Sequence, residues 1–193
     1  IIYSNQFTPL NIQKEIFKLK RKYKHLNYFP QKKPFVGGAI DLEIKKSKKK
    51  YLAIMAADLE TNPYELKNMV KFSKKNLDSI ISADRWISKK GFSEYGVIKF
   101  LANFFFQKLI KIFFKYEILD FTFAYRIYPK KVLKKYSISE LRHGFALEML
   151  LKTIKKGIKV VTVPAKWKKR VEGNSSITLQ SYFSYLKVFC KNI

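Results

Sequence analysis

The chain of 193 residues contains a single cysteine, Cys190. One thiol excludes an intrachain disulfide framework and a cysteine-built zinc site, and it suits a reducing compartment. Histidine is almost as scarce, at two residues. With no second histidine near it in sequence, His143 reads as a cap or surface residue rather than a metal ligand. Acids are few: 14 Asp and Glu stand against 40 Lys and Arg. Only Arg21, Arg85, Arg126, Arg142 and Arg170 among these cations are arginine. There is no signal-peptide pattern and no apolar run long enough to span a bilayer. Internal repeats and low-complexity linkers are missing too. So is any helix-turn-helix or RNP-like signature, so a nucleic-acid-binding module would rest on charge alone, and no nucleic-acid partner is expected.

The abundance of lysine together with Ile, Phe, Tyr and Asn is what a compositionally biased genome produces, and most single lysines read as solvated surface. Collectively they attract phosphate, whether on a nucleotide sugar, a nucleic acid or an anionic lipid headgroup. An apolar content of 47% supports an ordinary core, and the length predicts one domain over 1–193.

Periodicity predicts strands over 1–3, 26–29, 51–57, 77–83, 119–125 and 159–163. Helices are predicted over 10–23, 39–46, 63–75, 95–116, 129–136 and 144–156, with an amphipathic aromatic segment over 179–190. Strands alternate with helices through the first half, which predicts an α/β fold with a mainly parallel central sheet flanked by helices. The segment 51–63 stands out. It starts as a strand without charge and ends in Asp58 and Glu60, and Asn62 and Pro63 then open a helix. Acids at the C-terminal end of a sheet strand lie where α/β folds gather ligands. In extended backbone i and i+2 share a side, so Asp58 and Glu60 converge on one cation, with hard oxygens that suit Mg²⁺ or Mn²⁺. The plainer alternative is a loop cap followed by a solvated first-turn acid.

Four further constellations carry chemical potential. Gly37-Gly38 at a predicted helix start permits close backbone approach to phosphate, although a simple turn has the same composition. Alternation over 120–126 puts Asp120, Thr122, Ala124 and Arg126 on one face, where Asp120 and Arg126 either pair or line a cleft. Glu148 lies in a helix that is otherwise mostly apolar, so its burial needs a reason. The strand ending at Val163 runs into Lys166, Trp167, Lys168, Lys169 and Arg170, then Gly173, Ser175 and Ser176, which is a phosphate grip or an exposed basic loop.

In this order and spacing the pieces resemble family 2 glycosyltransferases, and most closely the dolichol- or polyprenyl-phosphate mannose synthase-like branch. Ala56-Ala57-Asp58-Leu59-Glu60-x-x-Pro63 resembles the family's Asp-x-Asp-Leu-Gln-x-x-Pro motif. Ala83-Asp84-Arg85-Trp86 resembles its Gly-Ser-Arg element, and Asp120-Phe-Thr-x-x-Tyr-Arg126 its Asp-x-Thr-x-Gly-Phe-Arg segment. Gly144-Phe145-x-x-Glu148 and Val163-Pro-x-x-Trp167-x-x-Arg170-x-x-Gly173-x-Ser175 match two further motifs. The resemblance implies a GT-A fold and sugar transfer from a nucleotide-diphosphate sugar to a lipid-phosphate or other glycan acceptor, assisted by Mg²⁺ or Mn²⁺. It implies a metal held by Asp58 and Glu60, with Asp58, Asp120 and Glu148 as catalytic-cleft residues. Donor phosphate contacts would fall to Gly37, Gly38, Arg85, Arg126, Arg170 and Ser175. A lipid acceptor implies a membrane surface, on its cytoplasmic side, with the chain peripheral or anchored by segments outside it.

Three departures qualify that picture. Ala56 stands where the family's first motif acid belongs. The family's opening strand, with its nucleotide contacts, is expected before Ile1 and is not in the sequence. Ile1 to Asn5 corresponds to the family's second strand, whose usual Asp-Asp-Gly-Ser is replaced by Tyr3-Ser4-Asn5-Gln6. A glycosyltransferase-like domain with impaired catalysis is therefore the alternative reading.

Overall fold

The computed structural model describes residues 2–4, 8–118, 120–133, 136–169 and 179–193. In chain order the elements are β1 (Ile2–Ser4), α1 (Leu10–Lys22), β2 (Tyr28–Pro30), α2 (Phe35–Lys46), β3 (Tyr51–Ile54) and α3 (Glu65–Lys75). They continue with β4 (Ile80–Asp84), α4 (Val97–Phe114), β5 (Arg126–Pro129), α5 (Lys130–Leu133), α6 (Phe145–Ile154), β6 (Val160–Pro164) and α7 (Leu179–Asn192). Strands β1 and β2 form a parallel pair, and a second sheet has the order β3-β5-β4-β6. Within it β4 and β6 are parallel, and β5 is antiparallel to both β3 and β4. Three strands thus point one way and β5 alone is reversed. The fold is α/β with a mixed sheet.

Alternate strand residues enter opposite cores, as the pleat requires. Ile80, Leu52 and Tyr128 join Ile110, Phe121 and the apolar residues of α6 and α7 on one face. Ile81, Ala83, Ile127 and Val163 meet Met69 of α3, Phe123 and Tyr125 on the other. Helix α6 buries almost its whole circumference, from Phe145 to Leu151.

The structure corrects several expectations. The strand predicted over 51–57 is short and, among the described residues, lies at the edge of its sheet and pairs with β5 alone. Ala53, Met55, Ala56 and Ala57 are consequently exposed. The strand predicted over 119–125 is displaced: residues 120–125 bend, and the ladder begins at Arg126. Helix α2 starts at Phe35, so Gly37 and Gly38 lie inside it rather than before it. A Cβ at Gly37 would stand 2.5 Å from the Glu140 carbonyl, and one at Gly38 would stand 2.6 Å from that of Lys33. Their close approach is to the protein's own backbone, not to phosphate.

Arg126 is also relocated by the fold. Its guanidinium is wholly buried and donates to the carbonyls of Ala146 (2.7 Å), Phe121 (2.8 Å) and Asp120 (3.1 Å), and to Ser82 Oγ (3.0 Å). Instead of meeting a donor phosphate, it joins β5, β4, α6 and the 120–121 bend. It touches Asp120 through the backbone carbonyl only. Removing it strands several buried acceptors, so Arg126→Leu is expected to destabilise the domain by about 3 kcal/mol or more. Urea denaturation checks this.

Candidate functional site

Loops following β3, β4 and β6 meet at one rim. After β3 the backbone turns through Leu59, which has φ 59° and an exposed side chain. A left-handed bulky residue is strained and persists only where its surroundings hold it. Here Asp58 Oδ1 accepts the Glu60 N–H (3.2 Å), closing an Asx-type turn. Asn62 Oδ1 then takes the Tyr64 N–H (3.0 Å) in a turn ahead of α3, so the helix expected to open at Asn62 and Pro63 begins two residues later, with Tyr64 at the cap position.

The segment after β6 docks onto this turn. Trp167 Nε1 donates to Glu60 Oε2 (3.1 Å), Lys168 N donates to the Glu60 carbonyl (3.0 Å), and Thr61 bridges to Trp167. The loop after β4 closes the ring. Trp167 N donates to the Gly91 carbonyl (3.2 Å), Lys169 N donates to Glu94 Oε2 (2.8 Å), and the Trp167 ring sits edge-on to Tyr95 at 4.8 Å. Asp58 and Glu60 are thus brought beside Lys166, Lys168 and Lys169, all exposed. Arg170 and Ser175, expected as phosphate contacts, lie outside the described residues.

Arg85 lies behind the rim. Its guanidinium is buried and forks onto Asp120, with Nε to Oδ2 at 2.7 Å and Nη2 to Oδ1 at 3.0 Å. The rings of Phe123 and Phe92 face it at 4.5 and 4.9 Å. Burial alone would lower the Arg85 pKa, but the Asp120 charge and hydrogen bonds more than reverse this and hold it above the ordinary guanidinium range. Helix α4 supplies the neighbours. Gln107 Nε2 reaches Thr122 Oγ1 (3.1 Å) and Asp120 Oδ1 (3.3 Å), Gln107 Oε1 takes the Phe121 N–H (2.9 Å), and Asn103 contacts both Gln107 and Thr122.

This arrangement changes three assignments. Arg85, expected on donor phosphate, is committed to Asp120. Asp120, expected in the cleft, is fully buried and accepts from Arg85, Gln107 and the Phe123 N–H. Glu148, also expected there, lies buried in α6. Its carboxylate accepts from Ser139 N and Oγ, Glu140 N and Lys152 Nζ. Burial raises its pKa, but the Lys152 and Ser139 hydrogen bonds outweigh that and lower it. Both acids position loops. Sequence reasoning missed Asn103 and Gln107, although two amides four residues apart in an aromatic helix mark one polar face.

Asp84 is the other residue the sequence underrated. It ends β4 fully buried, with Oδ1 accepting the Trp86 N–H (2.8 Å) and Oδ2 unpartnered among the described residues. Burial, and then the nearby Asp120 charge, push its pKa up to about 6 from 3.8. The folded state therefore holds this proton more tightly than the unfolded chain. The resulting stability is fully present below about pH 4 and is lost as pH rises through about 6. Asp84→Asn keeps the acceptor for Trp86 and removes the charge. It is expected to gain on the wild type between pH 4 and pH 8 by up to about 3 kcal/mol, read from denaturation at both pH values.

Comparison with known proteins bears on the family and the fold. The profile described as Glycosyl transferase family 2 matches residues 1–137. Glucosyl-3-phosphoglycerate synthase from Mycobacterium tuberculosis with Mg²⁺ and UDP superposes with a TM-score of 0.66 at 11% identity, over 100% of this chain and 67% of that one. The same enzyme with Mn²⁺, UDP-glucose and glycerol 3-phosphate gives 0.58 at 11% identity, over 91% and 64%. A further mycobacterial protein gives 0.67 at 12% identity, over 98% and 62%. This chain spans about two thirds of the length of these structures, and at such identities the likeness establishes the α/β fold. With the profile covering most of its length, the chain belongs to glycosyl transferase family 2.

Proposed function

We propose that the chain forms a single transferase domain that moves a sugar from a nucleotide-diphosphate sugar to a lipid-phosphate or other glycan acceptor. The observation that carries this reading is the rim itself. It places two acids on a strained turn beside a basic segment, at the end of the sheet toward which β3, β4 and β6 all point. Acids and lysines side by side suit a diphosphate accompanied by a divalent cation. The neighbours that hold UDP with Mg²⁺ or Mn²⁺ support the same donor class.

The chemistry of the donor set suits such a cation. Asp58 and Glu60 offer hard oxygens, and one carboxylate oxygen of each is oriented by an N–H, from Glu60 and Trp167 respectively. No cluster of three or more ligating residues occurs among the described residues, so substrate oxygens and water would complete the shell, as Mg²⁺ commonly allows. When bound, the cation neutralises charge on the departing diphosphate. The protein's own part is to hold the turn, to shield one side of it with Trp167, and to present Lys166, Lys168 and Lys169 to phosphate oxygens.

The acceptor is argued from what the acids are doing. Asp120 and Glu148 are buried and engaged by several donors each, so neither is available to take a proton from a hydroxyl. A lipid phosphate is already an anion and needs no strong base. This supports a polyprenyl-phosphate acceptor rather than a small phosphate compound like the glycerol 3-phosphate bound by the solved neighbour, and a position at the cytoplasmic side of a membrane is part of the same proposal. The impaired-domain alternative is motivated by Ala56, exposed at the end of β3 where a further acid would strengthen the cation site.

Calorimetric titration of the intact polypeptide with UDP-glucose, UDP-GlcNAc and GDP-mannose, with and without Mn²⁺, separates the two readings. Metal-dependent binding of one donor is expected, weakened roughly tenfold or more by Asp58→Ala and strengthened by Ala56→Asp. Absence of metal-dependent binding to all three donors would overturn the catalytic reading.

A further inference from the structure

Helix α4 is apolar along its length, yet only Gln107 and Ile110 are buried. Phe106 and Phe114 pack partly against the core, while a large share of its other apolar surface faces outward. Ile98 is 85% exposed, Phe105 67% and Ile112 70%, with Leu101 and Leu109 between them. These positions recur at intervals of three and four and form one stripe. Helix α7 lies alongside: Phe189 contacts Phe113, Phe106 and Phe114 at 5.4 to 6.1 Å between ring centroids, and Tyr185 contacts Phe106 at 6.1 Å. It adds its own outward set of Leu179, Tyr182, Phe183 (68% exposed) and Leu186. Such an apolar surface on two packed helices exceeds the scattered exposure normal for a soluble face.

The charges around this surface select its occupant. Neither α4 nor α7 contains a single acid, whereas Lys99, Lys108 and Lys111 lie on α4 and Lys187 and Lys191 on α7. A second copy of the chain would set lysine against lysine, with no acid on either helix to pair them. An anionic bilayer offers hydrocarbon for the stripe and phosphate for its lysine margin. Crossing is excluded for α4, because no helix among the described residues is long and apolar enough to span a membrane. At 18 residues it extends about 27 Å, ample for lying in the plane of the interface.

We propose that α4 and α7 together form a membrane-contact face that rests on anionic lipid. This deepens the lipid-acceptor reading above, and rests on it, by naming the surface from which such an acceptor arrives. The geometry also couples that surface to the site. The inner side of α4 carries Asn103 and Gln107, which hold Thr122, Asp120 and the Phe121 N–H around Arg85. A bilayer on the outer side therefore lies one helix diameter, about 10 Å, from this network.

The test is co-flotation of the protein with vesicles, without any nucleotide sugar, so that its outcome is independent of donor binding. Vesicles of phosphatidylcholine with phosphatidylglycerol are expected to carry the wild type, and phosphatidylcholine alone to carry far less. The double replacement Phe105→Glu with Ile112→Glu is expected to lower vesicle binding roughly tenfold or more. Because both side chains point to solvent, the circular dichroism and melting temperature of the variant should stay near wild type. Three results would overturn the proposal. One is no flotation with the mixed vesicles. Another is flotation that survives the double replacement and vanishes in high salt, which would mean lysine adsorption only. The third is a wild-type dimer that the same replacement dissociates. A negative flotation result beside intact metal-dependent donor binding would sink this face and leave the transferase standing.

Discussion

The buried fork between Arg85 and Asp120 is the interaction on which the rest of the site depends. Two charges removed from water are costly unless the geometry is good and the remaining lone pairs are filled. Here both conditions hold. The fork is bidentate, aromatic rings cover the guanidinium, and Gln107 and the Phe123 N–H take further positions on the carboxylate. These partners come from the end of β4, the bend before β5, and α4. Tyr185 of α7 reaches the same bend through the Thr122 carbonyl at 3.4 Å. Losing either charge would leave the other buried and alone, so the elements that frame the rim stand or fall together.

Arg126 complements this fork with a different logic. Among the described residues it has no carboxylate partner, and it gathers backbone carbonyls from the same bend and from α6. One arginine thus fixes the side chain of Asp120 and the other fixes its carbonyl. With the bend held twice, β5 can run antiparallel between β3 and β4 and carry the edge strand that ends in the acidic turn. The strain at Leu59 is sustained by the docking of Trp167 and Lys168 onto Glu60, which links the loop after β6 to the loop after β3.

Charge and apolar surface are partitioned accordingly. The rim mixes acids with lysines, which suits a cation together with phosphate. The α4–α7 face has lysines, aromatic and aliphatic side chains, and no acid at all. The same helix α4 serves both regions: its two amides point inward to a saturated polar network while its phenylalanines and isoleucines point outward. A helix with this division is useful where one side must be rigid and the other must meet a soft apolar phase.

The sequence alone determined the alternation of strands and helices, and with it the α/β class, because hydrophobic period is a local property that survives burial. It also located the turn at Asp58 and Glu60 and the basic run after Val163, since both are marked by composition within a few residues. It did not determine that residues 51–57 would lie at a sheet edge, or that 120–125 would bend: strand propensity is overridden by which neighbours are available to pair. Nor did it decide between Arg126, six residues from Asp120, and Arg85, thirty-five away, as the partner of that carboxylate. Only the tertiary structure made that choice. Chain proximity sets neither the direction of a side chain nor its access to water, and both depend on which elements pack around it. The same reason turned Gly37 and Gly38 from a phosphate approach into a backbone contact, and turned Glu148 from a cleft acid into a loop anchor.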